Sequence, residues 1–229
     1  MAEFLRKYCV HIPQRFLVCG MLFAACILCV MDRQAYFQTI YKMVYIPTPS
    51  TLSNSECPVM QHRGNSKVMF PDFIKIRFFW EREQLRAVTH ALYLGLIISN
   101  IPAGFVADHY GGRWVITVGV LMGSLTTLMY PTIALQGPVK LVLARLIQGL
   151  GQGLVFSSLN SIMAQWTPKS ERTRGISIIT AGLFAGWGIG YGLPNISHRF
   201  MDLWQMPLYL TGAVGLLWVL VWLLFCSSK

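Results

Sequence analysis

Charge is what this 229-residue chain has least of: Asp, Glu, Lys and Arg make up 12% of it, against roughly a quarter in a soluble domain. Nine residues are acidic, while 54% of the chain is hydrophobic. A soluble fold cannot cover so much apolar sequence with so few charges, and the composition points to an integral membrane protein. Cysteines able to pair in a polar loop are also lacking. Cys9, Cys19, Cys26, Cys29 and Cys226 lie in or beside apolar segments, and only Cys57 falls in a long polar stretch, where it has no intrachain partner. The CILC spacing of Cys26 and Cys29 sits in an apolar run without further ligands, which fits packing better than a metal or redox pair. The sequence has no metal cluster, no phosphate-cradling loop and no nucleophile with its base, so no catalytic residue, metal or cofactor is expected. Net charge is +10, but the basic residues form no stripe with interleaved aromatics, which excludes nucleic acid as the expected partner.

What the chain does have is long apolar runs. Six are long enough to cross ~30 Å of hydrocarbon, at about 16–45, 87–107, 114–135, 139–162, 176–195 and 207–226. They predict an all-α integral membrane fold with a six-helix domain over 16–226. Asp32 and Arg33 interrupt the first run, which leaves open a helix that ends there. Residues 1–15, MAEFLRKYCVHIPQR, carry three basic residues and no small-x-small cleavage site, and read as a cytosolic tail before an uncleaved helix. Residues 227–229 read as the start of a cytosolic tail or of a truncated central loop.

Six spans put both ends on one side, together with the connections 108–113 and 163–175. Arg6, Lys7, Arg15, Arg113, Lys169, Arg172, Arg174 and Lys229 gather there, as the positive-inside rule expects of cytosol. The segment 46–86 is then a luminal or extracellular loop. It opens with the Pro- and Ser-rich IPTPSTLSNSECP and closes with FIKIRFFWEREQLR, in which Trp80 is placed at the headgroup level. The sequon Asn195-Ile196-Ser197 falls at the end of the fifth run, where a terminating turn at Pro194-Asn195 accounts for the residues equally well.

Two motifs stand out. In GFVADHYGGR, Gly111 and Gly112 permit a tight turn, and Asp108 faces Arg113 across it as a charge-paired latch. In ARLIQGLGQGLVFSSLNSIMAQW, Arg145, Gly149, Gln152, Phe156 and Asn160 fall within about 80° of one another at 100° per residue. An intramembrane arginine is expensive in lipid and is a functional candidate, with a structural ion pair or carbonyl contact as the alternative. Gly149 with Gly153, Gly119 with Gly123, and Gly182 with Gly186 and Gly190 read as packing seams.

Gly104, Asp108, Gly111, Gly112 and Arg113 together resemble the signature loop of the major facilitator superfamily. More narrowly, GLIISNIPAGFVADHYGGR, RLIQGLGQG and QWTPKSERTR resemble the G-Y-x-x-x-Q-I-P-G-G, R-x-x-Q-G-x-x-[EQ]-G and W-A-P-P-x-E-R motifs of its anion/cation symporter family, which includes sialin, the vesicular glutamate transporters and the sodium/phosphate cotransporters. The resemblance covers the amino-terminal half of that fold. It implies transport of a small organic or inorganic anion by alternating access, in the plasma membrane or a lysosomal or vesicular membrane. It also implies a long first helix, with Arg33 and Arg145 meeting the anion and Gln152 and Asn160 lining the same path. Asp108, Gly111, Gly112, Arg113, Glu171 and Arg172 would govern the cytosolic-side conformations. Ala35, Asn100 and Asn160 depart from the family's Asn, Gln and His. Gln152 stands where proton-coupled members carry Glu, and it cannot titrate. Transport without proton coupling at that position is implied, with Na+ as a candidate coupling ion.

Family members have two six-helix halves with the substrate site between them. A chain of six spans is then a truncated product, or a protein that self-associates. Uncovered Arg33 and Arg145 lead us to expect a homodimer or a complex with a full-length relative. A different class of function is a nontransporting membrane interaction protein, such as a truncated isoform that binds such a relative.

The topology is directly testable. An impermeant thiol reagent should label Cys57 in intact cells, or in vesicles of matching orientation, while a cysteine placed at Lys169 should react only after permeabilisation. The reverse pattern would invert the assignment.

Overall fold

The computed structural model describes residues 14–43, 80–200 and 204–225. Cys57 and the Pro- and Ser-rich part of the first loop lie outside them, as do both chain ends. Among the described residues the fold is six helices: α1 (Gln14–Met43), α2 (Arg82–Tyr110), α3 (Gly112–Ala134), α4 (Pro138–Trp166), α5 (Arg172–Phe200) and α6 (Met206–Phe225). All six contain stretches long and apolar enough to cross a membrane.

Local chemistry explains the boundaries. α1 runs unbroken through Asp32, which is 3% exposed, and Arg33, which is half-buried. α2 starts earlier than the apolar run because Glu81 and Gln84 form a capping box, with Glu81 N donating to Gln84 Oε1 at 3.3 Å. Only Gly111 separates α2 from α3, with φ of 86°, a conformation that favours glycine. Pro138 opens α4 at the position where a missing N–H costs nothing. The expected stop at Pro194 does not occur, and α5 continues to Phe200. Side chains serve carbonyls around the proline: Asn195 Nδ2 donates to Tyr191 O at 3.0 Å and Ser197 Oγ to Pro194 O at 3.3 Å.

The helices pack chiefly as α2 on α4, α1 on α5, α3 on α4 and α3 on α6. Glycine makes each of these approaches close. A Cβ on Gly149 would strike the Leu92 carbonyl, and one on Gly95 the Leu146 carbonyl, so α2 and α4 meet backbone to backbone. Gly119 and Gly151 do the same for α3 and α4, and Gly182, Gly186 and Gly190 for α5 against Phe23, Ile27 and Met31 of α1. Gly123, grouped with Gly119 by spacing, faces open space.

Two apolar cores result. One, towards the end that holds Tyr110, Gly112 and Trp166, includes Leu22, Cys26, Ile116, Val155, Ile162 and Trp222. The other, towards Met43 and Ala134, includes Tyr36, Ile40, Val88, Tyr130, Leu141 and Leu208, and Trp80 packs against it. Between them lie the buried polar side chains Asp32, Ser124, Thr127, Arg145, Gln148, Gln152 and Thr211. This belt is where the bundle places its chemistry.

Gly149→Ala should lower the thermal midpoint of the detergent-solubilised chain by several degrees, because the added methyl meets fixed backbone. Gly20→Ala, with nothing within 4 Å of the added atom, should leave it unchanged or raise it. Equal midpoints for both variants, followed by size-exclusion melting curves, would refute the backbone seam.

Candidate functional site

Arg145 sits about two turns inside α4, roughly 10 Å from its start at Pro138. It is 0% exposed. Its guanidinium carbon lies 3.4 Å from the Tyr36 ring centre on α1, 5.7 Å from Phe37 and 5.4 Å from Tyr130 on α3. Desolvated stacking of this kind is among the stronger cation–π contacts. Nη1 donates to Gln148 Oε1 at 2.6 Å, and that oxygen also accepts from the Tyr130 hydroxyl. Gln148 Nε2 donates in turn to Thr127 Oγ1 at 3.0 Å, and Thr127 donates to Gly123 O at 2.8 Å. The chain of bonds fixes the guanidinium against α3. Arg145 Nε and Nη2 have no partner among the described residues.

Other buried atoms of α1 and α4 also have unmet hydrogen bonds: Asp32 Oδ1, Tyr36 OH, Arg33 Nε and Gln152 Oε1. Gln152 Nε2 donates to Cys29 O at 2.9 Å, so this amide ties α4 to α1. Thr211 of α6 lies within hydrogen-bonding reach of the Asp32 carboxylate, and Arg145 within electrostatic range of it. A cation, a carboxylate, a phenol and an amide therefore converge on the α1–α4 seam. The arrangement can receive an oxyanion at the guanidinium and a hydrogen-bond donor at Asp32.

The sequence-derived face of α4 does not stay together. Arg145 and Gln152 turn to α1, Gly149 is pressed against Leu92 of α2, Phe156 packs on the apolar core, and Asn160 is exposed. Helices on two sides of α4 divide a face that a helical wheel treats as one. The expectation that Arg145 lies uncovered without a second half is corrected as well. It is enclosed by α1, α3 and its own helix, and Arg33 is half-buried. The reason given for obligatory self-association falls with it.

The signature loop also differs from the expected latch. Asp108 and Arg113 do not pair: Ser161 Oγ of α4 donates to Asp108 Oδ1 at 2.7 Å, and Arg113 Nη2 donates to Leu223 O of α6 at 3.0 Å. The helix ends nearest each side chain offer partners that the turn between them does not. Gly112 packs against Ile162 and Gly111 supplies the positive φ. Arg172 Nη2 donates to Ala164 O at 3.0 Å and ties the start of α5 to α4, while Glu171 O accepts from Gly175 N at 3.0 Å in the first turn of α5.

Four residues of the cluster escaped sequence reasoning. Gln148 follows Arg145 by three residues, the spacing of neighbours on a helix, and could have been found from it. Asp32 was visible as an acid inside a span. Tyr36 and Tyr130 gave no signal, since aromatic residues in apolar helices are ordinary.

Comparison with known proteins agrees with this architecture. Residues 58–229 match the Major Facilitator Superfamily. Human sialin is 31% identical over 176 residues, 77% of this chain and 35% of its own length. From Arabidopsis thaliana, the chloroplastic ascorbate transporter is 27% identical over 218 residues, 95% of this chain and 34% of its own. The chloroplastic sodium-dependent phosphate transport protein 1 of the same plant is 27% identical over 220 residues, 95% and 36%. The chain spans about a third of the length of these relatives. With six membrane-length helices and a family match over most of its length, the chain is a multi-pass integral membrane protein that belongs to the Major Facilitator Superfamily.

Proposed function

We propose that this chain supplies the anion-binding half of a secondary transporter that moves a small organic or inorganic anion across a membrane by alternating access. The observation that carries the proposal is Arg145: a permanently charged guanidinium, 0% exposed within a membrane-spanning bundle, with two of its nitrogens, Nε and Nη2, unpartnered. A buried cation with spare donors favours an anion as ligand, because those donors otherwise stay unsatisfied. The relatives named for transport of phosphate and ascorbate support the same substrate chemistry. Arg33, Gln152 and Asn160 belong to the proposed path, and Asp108, Gly111, Gly112, Arg113, Glu171 and Arg172 to the conformational machinery at the other end.

Coupling at Gln152 is not to a proton, since an amide does not titrate. Its Nε2 bond to Cys29 O gives it a bridging role instead.

Uptake of labelled phosphate and labelled gluconate by the assembled transport unit, measured across pH, tests this. Arg145→Ala should abolish uptake. Arg145→Lys should recover only part, because it keeps the charge and loses the planar fork. Gln152→Glu should make uptake rise as pH falls, since only the protonated acid can donate to the Cys29 carbonyl. Wild-type rates without pH dependence in all three variants would remove this helix face from the substrate path.

A further inference from the structure

We propose that the outer faces of α2 and α5 form an interface with a second copy of this chain, α2 of each copy lying against α5 of the other. The interface does not depend on what the bundle transports. On α2, His90, Leu94, Ile97, Ile101, Gly104 and Asp108 follow at steps of four, three, four, three and four residues, which puts them within about 80° of one another at 100° per residue. On α5, Arg174, Ile178, Ala181, Ala185, Gly188 and Gly192 follow at the same steps. Every residue of both rows is exposed or half-buried, and α2 and α5 are not packed on each other within the chain. Successive membrane crossings alternate in direction, so α2 runs antiparallel to α5. In two copies inserted the same way, α2 of one can therefore lie along α5 of the other.

Set antiparallel with Asp108 beside Arg174, the two rows match in size and in charge. Ile101 meets Ala181, Ile97 meets Ala185, Leu94 meets Gly188 and His90 meets Gly192. Where α2 turns small, at Gly104, α5 turns large, at Ile178. Each row spans 18 residue steps, about 27 Å at 1.5 Å per residue, so the fit holds across nearly the whole hydrocarbon thickness. Large side chains entering positions lined by small ones are how membrane helices approach closely. The glycines have no such use inside one chain, since a Cβ on Gly104, Gly188 or Gly192 would meet nothing within 4 Å. By contrast, the positions beside Gly182, Gly186 and Gly190, on the other side of α5, are filled by α1. Asp108 and Arg174 lie at the end of the bundle that holds the Gly111 turn, and neither has an ion pair among the described residues. A second copy supplies the opposite charge to both. α3 and α6 present a different surface: their exposed Val118, Leu125, Val214 and Leu217 suit lipid. Because α2 packs on α4, α4 meets α1 and α1 packs on α5, α2 and α5 stand at opposite ends of one row of helices. A two-fold axis along the membrane normal then makes both α2–α5 contacts at once.

The experiment reconstitutes the purified full chain in phosphatidylcholine bilayers and follows energy transfer between donor- and acceptor-labelled copies as the protein-to-lipid ratio falls. The wild-type chain should be dimeric. Gly188→Leu has open space in its own chain and collides with Leu94 of the second copy. It should weaken the dimer about tenfold or more, while the thermal midpoint of the chain in detergent stays the same or rises, as replacing glycine inside a helix does. Arg174→Asp should weaken the dimer as well, and Asp108→Arg added to the same chain should restore it, because the pair is then reversed in sign. A wild-type chain that stays monomeric at the highest ratio, with or without transfer to labelled full-length human sialin, overturns the second copy as occupant. Unchanged transfer in Gly188→Leu overturns the register. If Gly188→Leu fails to fold, copies bearing Ile97→Cys are mixed with copies bearing Ala185→Cys and oxidised. They should give a disulfide-linked dimer that neither variant gives alone, while Val118→Cys mixed with Leu217→Cys should give none. Absence of the first product overturns the contact.

Discussion

The bundle is organised around the enclosure of one guanidinium. Placing arginine inside a membrane helix costs up to about 3 kcal/mol on insertion scales, the value at the helix centre. Desolvated stacking on Tyr36 returns about 2 kcal/mol, and the charge-assisted bond to Gln148 about 2 more. The two sides are of similar size, so Arg145 can remain charged and buried without a fixed counter-ion in contact. That balance requires Tyr36 from α1, Tyr130 and Thr127 from α3 and Gln148 from α4 to meet in one layer. The helix order and the polar belt between the two apolar cores bring them there.

Enclosure of this kind sets what can move. Glycine seams hold α1 to α5, α4 to α2, and α4 to α3, with backbone atoms of one helix in the contact surface of the next. Such a seam cannot slide without collision. Between α1 and α4 no glycine brings the backbones together; the contact is made by Arg145, Gln152, Tyr36 and the carbonyl of Cys29. Long side chains can change rotamer and partner, so this seam separates at lower cost than its neighbours. Asp32 Oδ1 and Tyr36 OH of α1, and Arg145 Nε and Nη2 and Gln152 Oε1 of α4, are among the buried atoms with unmet hydrogen bonds.

Much of the fold was legible in the sequence because hydrocarbon imposes length and composition on any helix that crosses it. The positions of the six helices follow from that constraint alone, and the errors fall at the ends: the Glu81–Gln84 box lengthens α2, and α5 continues past Pro194. The candidate site was less legible. Arg145 and Gln152 were visible because polar groups in apolar helices are conspicuous. Their partners were not, since which helix Gly149 or Asn160 faces depends on how α4 is flanked, and a single helix does not encode its neighbours. Tyr36 shows the limit most clearly: its ring is unremarkable in α1 until Arg145 is found beneath it.

The signature loop makes the same point at the other end of the bundle. Aspartate and arginine five residues apart suggest attraction across the turn. In the folded chain each instead serves a helix it meets only through packing. Ser161 donates to Asp108 and so joins α2 to α4. Arg113 caps a carbonyl in the last turn of α6, where unpaired acceptors and the negative end of the helix dipole favour a cation. Trp222 Nε1 of α6 returns a bond to Arg113 O at 3.4 Å, which makes the α3–α6 junction reciprocal. The loop thus fastens two separate helix pairs, α2 with α4 and α3 with α6, and leaves α1 and α5 outside both. A conformational change that releases this end must break bonds between helices, because the turn itself holds no ion pair to open.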